Sequence, residues 1–172
     1  MFIRCVACVG MLLLAQGVSA SDRISVGVGD ASGDIDAYRI GFQRDFKKRW
    51  WRDRPWGLSG YWEASANYWV DNDSISALAF SPVFTLSLKR SSSVTPYFEA
   101  GIGVALISNS EIERRNLSTA FQFEDRIGVG LRFGGQQKHD INFRFLHYSN
   151  ADIKMPNDGL DIFMLSYGYA FR

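Results

Sequence analysis

From Ile24 to Phe171 the chain alternates between large apolar and small or polar side chains, position by position. Successive side chains of a strand point to opposite faces, so a period of two specifies a sheet with one apolar and one polar face. Eight segments carry the pattern: Ile24–Gly29, Ala37–Phe46, Gly57–Val70, Ile75–Leu88, Val94–Ile107, Ala120–Phe133, Asp140–Tyr148 and Gly159–Phe171. Val94–Ile107 shows it plainly. Phe98, Ala100, Ile102, Val104 and Leu106 share one face, and Tyr97, Glu99, Gly101 and Gly103 share the other. In the last segment Ile162 and Met164 blur the alternation.

Two architectures produce such a pattern. A soluble barrel or sandwich turns its apolar face inward, whereas a membrane barrel turns it to lipid and fills the lumen with polar and small side chains. The polar faces here hold glycines and a few charges of both signs: Glu63, Glu99, Glu124, Arg126, Arg132 and Arg144. A water-facing surface carries denser charge and more lysine, so this composition fits a narrow lumen filled by ion pairs. Aromatics make up 15% of the chain, and Trp62, Tyr68, Tyr167, Tyr169 and Phe171 lie on the apolar faces, as interfacial girdles do. The strand count is even. The fold expected is all-β: an eight-stranded antiparallel transmembrane β-barrel of the bacterial outer membrane.

The N-terminus supports export. Residues 1–20, "MFIRCVACVGMLLLAQGVSA", combine Arg4, an apolar run and a small-residue end at Val18-Ser19-Ala20. This reads as a cleaved signal peptide, too short to span a membrane, with the barrel domain over 21–172. Both cysteines, Cys5 and Cys8, leave with it, so no cysteine metal site or disulfide is expected in the mature chain, and no metal or cofactor is called for. The chain has 19 basic and 18 acidic residues; loss of Arg4 balances them, which argues against nucleic acid as a partner. With a periplasmic N-terminus, "DASGDID", "DNDS", "SNSEIERRNLST" and "NADIKMPND" become external loops. Lys47-Lys48-Arg49 with Trp50 and Trp51 then falls on the periplasmic side, as an anchor at inner-leaflet headgroups.

"FLHYSNADIKMPNDGLDIF" holds the candidate chemistry. His147 and Ser149 are in phase with Ile141, Phe143 and Phe145, so they share the lipid-facing side. Asp161 is in phase with Phe163 and Leu165. One loop joins the two segments, which should pair antiparallel; with Ser149 near Gly159, His147 lies opposite Asp161. Serine is a weak nucleophile until a base takes its proton, and imidazole suits that task near neutrality. A carboxylate fixes the ring and stabilises imidazolium. Asp158 is a competing acid, which regular strand geometry would point inward. Polar groups facing lipid are costly and tend to be functional, and a nucleophile at the outer-leaflet headgroups meets lipid esters. Asp125 is in phase with Phe121 and Phe123 and faces outward beside His147. Arg114, Arg115 and Lys154, on outer loops, are candidates for phosphate contacts.

"HYSNA", "PNDG", "FEDRIG" and "YFEAGIGVA" together resemble the outer-membrane lipid A 3-O-deacylases, the PagL family. The resemblance covers the signal, the mature length and most of the last four segments, and is weaker before Tyr61. It implies an eight-stranded barrel that hydrolyses the ester-linked 3-hydroxyacyl chain at position 3 of lipid A, within lipopolysaccharide, by a Ser–His–Glu triad without metal. Carried over, Ser149 is the nucleophile and His147 the base, and the family's glutamate falls on Asp161, one methylene shorter. Asn150 and Asn157 match too, and Asn157 resembles the oxyanion-hole contributor. Asp125 would hold His147 or the glucosamine hydroxyls. The partners expected are lipid A and outer-membrane lipids, with a homodimer left open. Two alternatives stand beside the esterase: a non-enzymatic structural barrel, and a lipid A acyltransferase, which would call for a lumenal acyl pocket.

Overall fold

The computed structural model describes residues 22–31, 35–51, 54–88 and 93–171. The expected signal peptide lies outside the described residues. Among the described residues there are ten strands: β1 (Asp22–Ala31), β2 (Ile35–Asp45), β3 (Trp56–Val70), β4 (Ser74–Leu88), β5 (Val94–Ile107), β6 (Glu111–Ile112), β7 (Arg115–Asn116), β8 (Phe121–Phe133), β9 (His139–Ser149) and β10 (Leu160–Ala170). Eight of them close a barrel in the order β1-β10-β9-β8-β5-β4-β3-β2, and every pairing is antiparallel. Closure leaves no sheet edge, which a lipid surround requires because it offers no partner to a free backbone amide. The two-residue strands β6 and β7 form a small hairpin in the β5–β8 loop. The sequence pattern does not reveal them.

The apolar faces point outward. Phe143 and Phe163 are 49% and 52% exposed, whereas Asn142 and Arg144 between and beside them are buried. Strand bounds agree with the expected segments to within a residue or two at most ends. β1 is longer at both ends than Ile24–Gly29, because the polar Asp22 and Arg23 still pair with Arg44 and Gln43 of β2.

The lumen differs from expectation. Its middle holds the expected ion-pair network. Arg39 bridges Glu63 (2.6 Å) and Glu124 (2.9 Å), Arg126 bridges the same two carboxylates (2.8 and 2.6 Å), and Arg144 pairs with Glu99 (2.7 Å). Tyr148 and Tyr61 donate to Glu124 and Glu99 at 2.6 and 2.7 Å. Toward the His147 end, however, the lumen is apolar. Trp69, Leu146, Leu160, Ile162 and Met164 are fully buried there with Ile35, Ile75 and Ile107, and Ile112 and Leu117 of the β5–β8 loop join the same cluster. The blur at Ile162 and Met164 is this plug: those positions face inward, and their neighbours Phe163 and Leu165 face outward, so the strand is apolar on both sides.

Candidate active site

β9 and β10 pair with His147 opposite Asp161. That register follows from the shared parity of His147 and Phe145, and of Asp161 and Phe163, on strands joined by one loop. His147 Nδ1 and Asp161 Oδ1 are 2.6 Å apart, so aspartate, though shorter than glutamate, reaches the ring. A carboxylate accepts, so Nδ1 carries the proton and Nε2 of the neutral ring keeps its lone pair. The two side chains are 36% and 49% exposed, on the lipid-facing side of the wall. Ser149 stands two residues further along the same face and is half-buried.

Gly159 fixes where the ring can lie. It sits one step beyond the Leu160–Tyr148 pair, on the Ser149 side, at φ 65°. A side chain there would be strained, and its Cβ would come within 2.9 Å of His147 Cε1 and 3.7 Å of Nε2. The imidazole therefore lies over a bare backbone, with its Cε1 edge against Gly159. In the sequence Gly159 closes "PNDG" directly before the last strand, which is the available signal of a positioning role.

On the other side of His147, across β8, stands Asp125. Two carboxylates thus flank the ring in register, and Asp161 holds the hydrogen bond. Asp125 also borders a groove that descends the outside of the barrel past Ile102, Ile127 and Phe145 to Phe84 and Pro82, with Ala100 and Gly101 leaving room at its floor.

The loop after Ser149 is tied down by its own polar groups. Asn150 is buried, and its amide donates to the carbonyls of Leu117 (2.9 Å) and Lys154 (2.8 Å) and accepts from the Lys154 amide. Both of its side-chain protons are therefore used, one within the loop and one across to the β5–β8 loop. Asn157 accepts from the Asn150 amide (3.1 Å) and donates one proton to Asp152 (2.9 Å), leaving a second proton on its Nδ2. Asp158 lies in the loop, exposed, accepting from the backbone amide of Asn116 at 2.7 Å. It turns away from His147.

Of the candidate phosphate contacts, Arg115 has an internal task. Its guanidinium donates to the carbonyl oxygens of Gly159 (2.9 Å) and Asp158 (3.4 Å). Ser118 donates to the carbonyl of Pro156 at 2.5 Å. The β6–β7 hairpin thus clamps the backbone that carries Gly159 to its place under His147. Arg114 and Lys154 are exposed. Among the described residues no cluster of His, Cys, Asp and Glu could hold a metal ion.

The family model for lipid A 3-O-deacylase (PagL) matches residues 36–170. The chain is 40% identical over 147 residues to the lipid A deacylase PagL of Pseudomonas aeruginosa, covering 84% of this chain and 83% of that one. A 75-residue stretch is 44% identical to the lipid A deacylase PagL of Bordetella bronchiseptica, covering 44% of this chain and 41% of that one. Among solved structures, the crystal structure of the outer membrane enzyme PagL superposes with a TM-score of 0.81 at 37% identity, covering 87% of this chain and 99% of that one. The N-terminal barrel of Pseudomonas aeruginosa OprF, at 14% identity and a TM-score of 0.55, covering 90% of this chain and all of that one, shares the fold alone. An eight-stranded barrel with an external His–Asp pair, matched over nearly its whole length in sequence and structure, belongs to the lipid A 3-O-deacylase (PagL) family.

Proposed function

We propose that this chain is an outer-membrane lipid A 3-O-deacylase in which Ser149 attacks, His147 accepts the proton and Asp161 orients the histidine. The observation that carries the reading is the 2.6 Å bond between His147 Nδ1 and Asp161 on the lipid-facing wall. Fixing the proton on Nδ1 leaves Nε2 as the base. Attack by Ser149 Oγ on the ester carbonyl at position 3 breaks the carbonyl π bond and forms an oxyanion, while the hydroxyl proton passes to Nε2. Asp161 stabilises the imidazolium. Collapse returns the proton to the glucosamine oxygen and leaves the 3-hydroxyacyl chain on Ser149. Water, deprotonated by the same ring, then attacks the acyl-serine; the bond to Ser149 Oγ breaks, the ring returns its proton to that oxygen, and the fatty acid leaves. In this reading the free proton of Asn157 Nδ2 serves the oxyanion, a donor worth roughly two to three orders of magnitude in rate, and Asn150 orders the loop. Asp125, at the head of the exterior groove, meets hydroxyl groups of the substrate near the ester.

The same location argues against the alternatives. A lumenal acyl pocket would be the mark of a transferase, but the lumen behind His147 is packed by Leu146, Tyr148, Leu160 and Ile162. A structural barrel has no use for a glycine at φ 65° kept bare under a lipid-facing histidine. Mass spectrometry of lipid A from cells making the wild-type protein or Ser149→Ala tests the reading. The wild type should remove one 3-hydroxyacyl chain and the variant none. An unchanged lipid A in both would favour the structural barrel, and a gained chain the transferase.

A further inference from the structure

The end of the barrel away from His147 has its own composite surface. After β2 the chain goes on bonding to the start of β3. The Phe46 amide donates to the Gly60 carbonyl at 2.8 Å, and Trp50 and Leu58 exchange backbone bonds of 2.8 and 3.3 Å. Gly60 faces outward in phase with Trp62, yet it is buried, because the Phe46 ring covers it; a Cβ there would meet the ring at 2.5 Å. Phe46 packs edge-on against Trp62 and Phe84, with ring centres 5.4 and 5.5 Å apart, and Trp62 stacks on Phe80 at 5.4 Å. The result is an aromatic wall on the lipid-facing surface, flanked by a groove whose apolar side is Phe46, Trp50, Trp62, Pro82 and Phe84.

Cations form the rim of that groove. Arg44 is matched by a two-point contact with Asp22, both bonds 2.9 Å. Lys47 and Lys48 are exposed and have no ion-pair partner among the described residues; Lys48 Nζ lies 5.6 Å over the Trp50 ring. Asp45 also borders the groove, but Lys47 and Lys48, without an ion-pair partner among the described residues at the head of an apolar groove, ask for one ligand with an anion at one end and hydrocarbon at the other. The groove is continuous with the barrel's apolar belt, so the hydrocarbon is already in the membrane.

We propose that this groove binds an anionic glycerophospholipid, its phosphate at Lys47 and Lys48 and an acyl chain along Trp62 and Phe84. Assigning that lipid to the inner leaflet rests on the reading that the His147 end meets lipid A; the chemistry of the site does not. Pro82 and Phe84 line both this groove and the one descending from Asp125. The bound phospholipid therefore closes the lower end of the path along the outside of the barrel.

Tryptophan fluorescence in bilayers tests the proposal, using the whole folded barrel and lipids brominated on the acyl chain. Brominated phosphatidylglycerol diluted in phosphatidylcholine should quench several-fold more effectively than brominated phosphatidylcholine at the same fraction. Lys47→Gln/Lys48→Gln should erase that preference, and Trp62→Phe should remove most of the selective quenching. Inorganic phosphate at matched concentration should not compete. Equal quenching by the two lipids in the wild type, a preference unchanged in the double variant, or displacement by phosphate alone would each overturn the proposal. The readout does not involve deacylation, so loss of the catalytic assignment and loss of this site are separate outcomes.

Discussion

Glu124 and Asp125 are neighbours on β8, and His147 and Tyr148 are neighbours on β9, yet the two pairs do opposite things. Glu124 and Tyr148 face the lumen, 2.6 Å apart, in a network where Glu124 also takes bonds from Arg39, Arg126 and Ser81. Asp125 and His147 face lipid, and among the described residues the ring has a single hydrogen bond, to Asp161. Inside, Glu63, Glu99 and Glu124 are each held by several donors. Outside, one acid holds one ring and leaves the other ring nitrogen open. Over-determination gives structure; a single constraint with an open side gives chemistry. Because strand alternation is strict, a slip of one residue would exchange the two, so the lumenal network also guards the position of the external site.

The contrast predicts different consequences for similar substitutions. The largest is expected at Asp161. Asp161→Ala should lower turnover by roughly 10⁴, as for other triad acids, while changing barrel stability by less than about 1 kcal/mol, since the pair is half-exposed. Asp161→Glu should keep a substantial part of the activity. Lipid A deacylation at equal amounts of folded protein, together with urea unfolding in vesicles, reads both effects. Full activity in Asp161→Ala with loss in Asp125→Ala or Asp158→Ala would give the role to another carboxylate. Glu124→Ala should do the reverse. It leaves Arg39 and Arg126 short of a counter-charge in a sealed lumen and should cost about 3–5 kcal/mol, seen as a lower urea midpoint, with turnover per folded molecule changed far less.

Smaller effects sharpen the boundary between the two regions. Gly159→Ala puts a methyl group where the His147 ring lies, and a displacement of about 1 Å at a catalytic group can cost about 100-fold in turnover. Arg115 separates two readings of one cation. Through its bond to the Gly159 carbonyl it holds the backbone under His147, so Arg115→Met should lower kcat about tenfold or less with KM little changed, the expected share of a charge-assisted bond. A raised KM with unchanged kcat would instead make it a contact to a lipid A phosphate.

Much of this was legible in the sequence, for a physical reason. Period-two alternation exposes face and strand together, so the barrel, its polarity and the shared face of His147, Ser149 and Asp161 could be read from parity. What parity cannot show is why an alternation fails. The apolar plug was visible only as disorder in the pattern at Ile162 and Met164, because an inward apolar residue and a misplaced strand look alike in one dimension. The roles of Asn150, Arg115 and Gly159 were hidden differently. Asn150 and Arg115 bond to backbone carbonyls across loops, and Gly159 works by an absent side chain, so none has a partner that residue type could announce. The two-residue strands β6 and β7 are too short for any period.

The central claim is that Ser149 is a nucleophile activated by a histidine on the outside of the barrel. Labelling with a fluorophosphonate tests it directly, because the reagent is attacked only by an activated hydroxyl and leaves a covalent phosphonyl group on it. Peptide mass spectrometry of the folded, bilayer-embedded protein should find the label on Ser149 alone. His147→Ala should lose the label while keeping the heat-modifiable migration of a folded barrel, and Asp161→Ala should label far more slowly. Label on a different serine, or undiminished label on Ser149 without His147, would contradict the account.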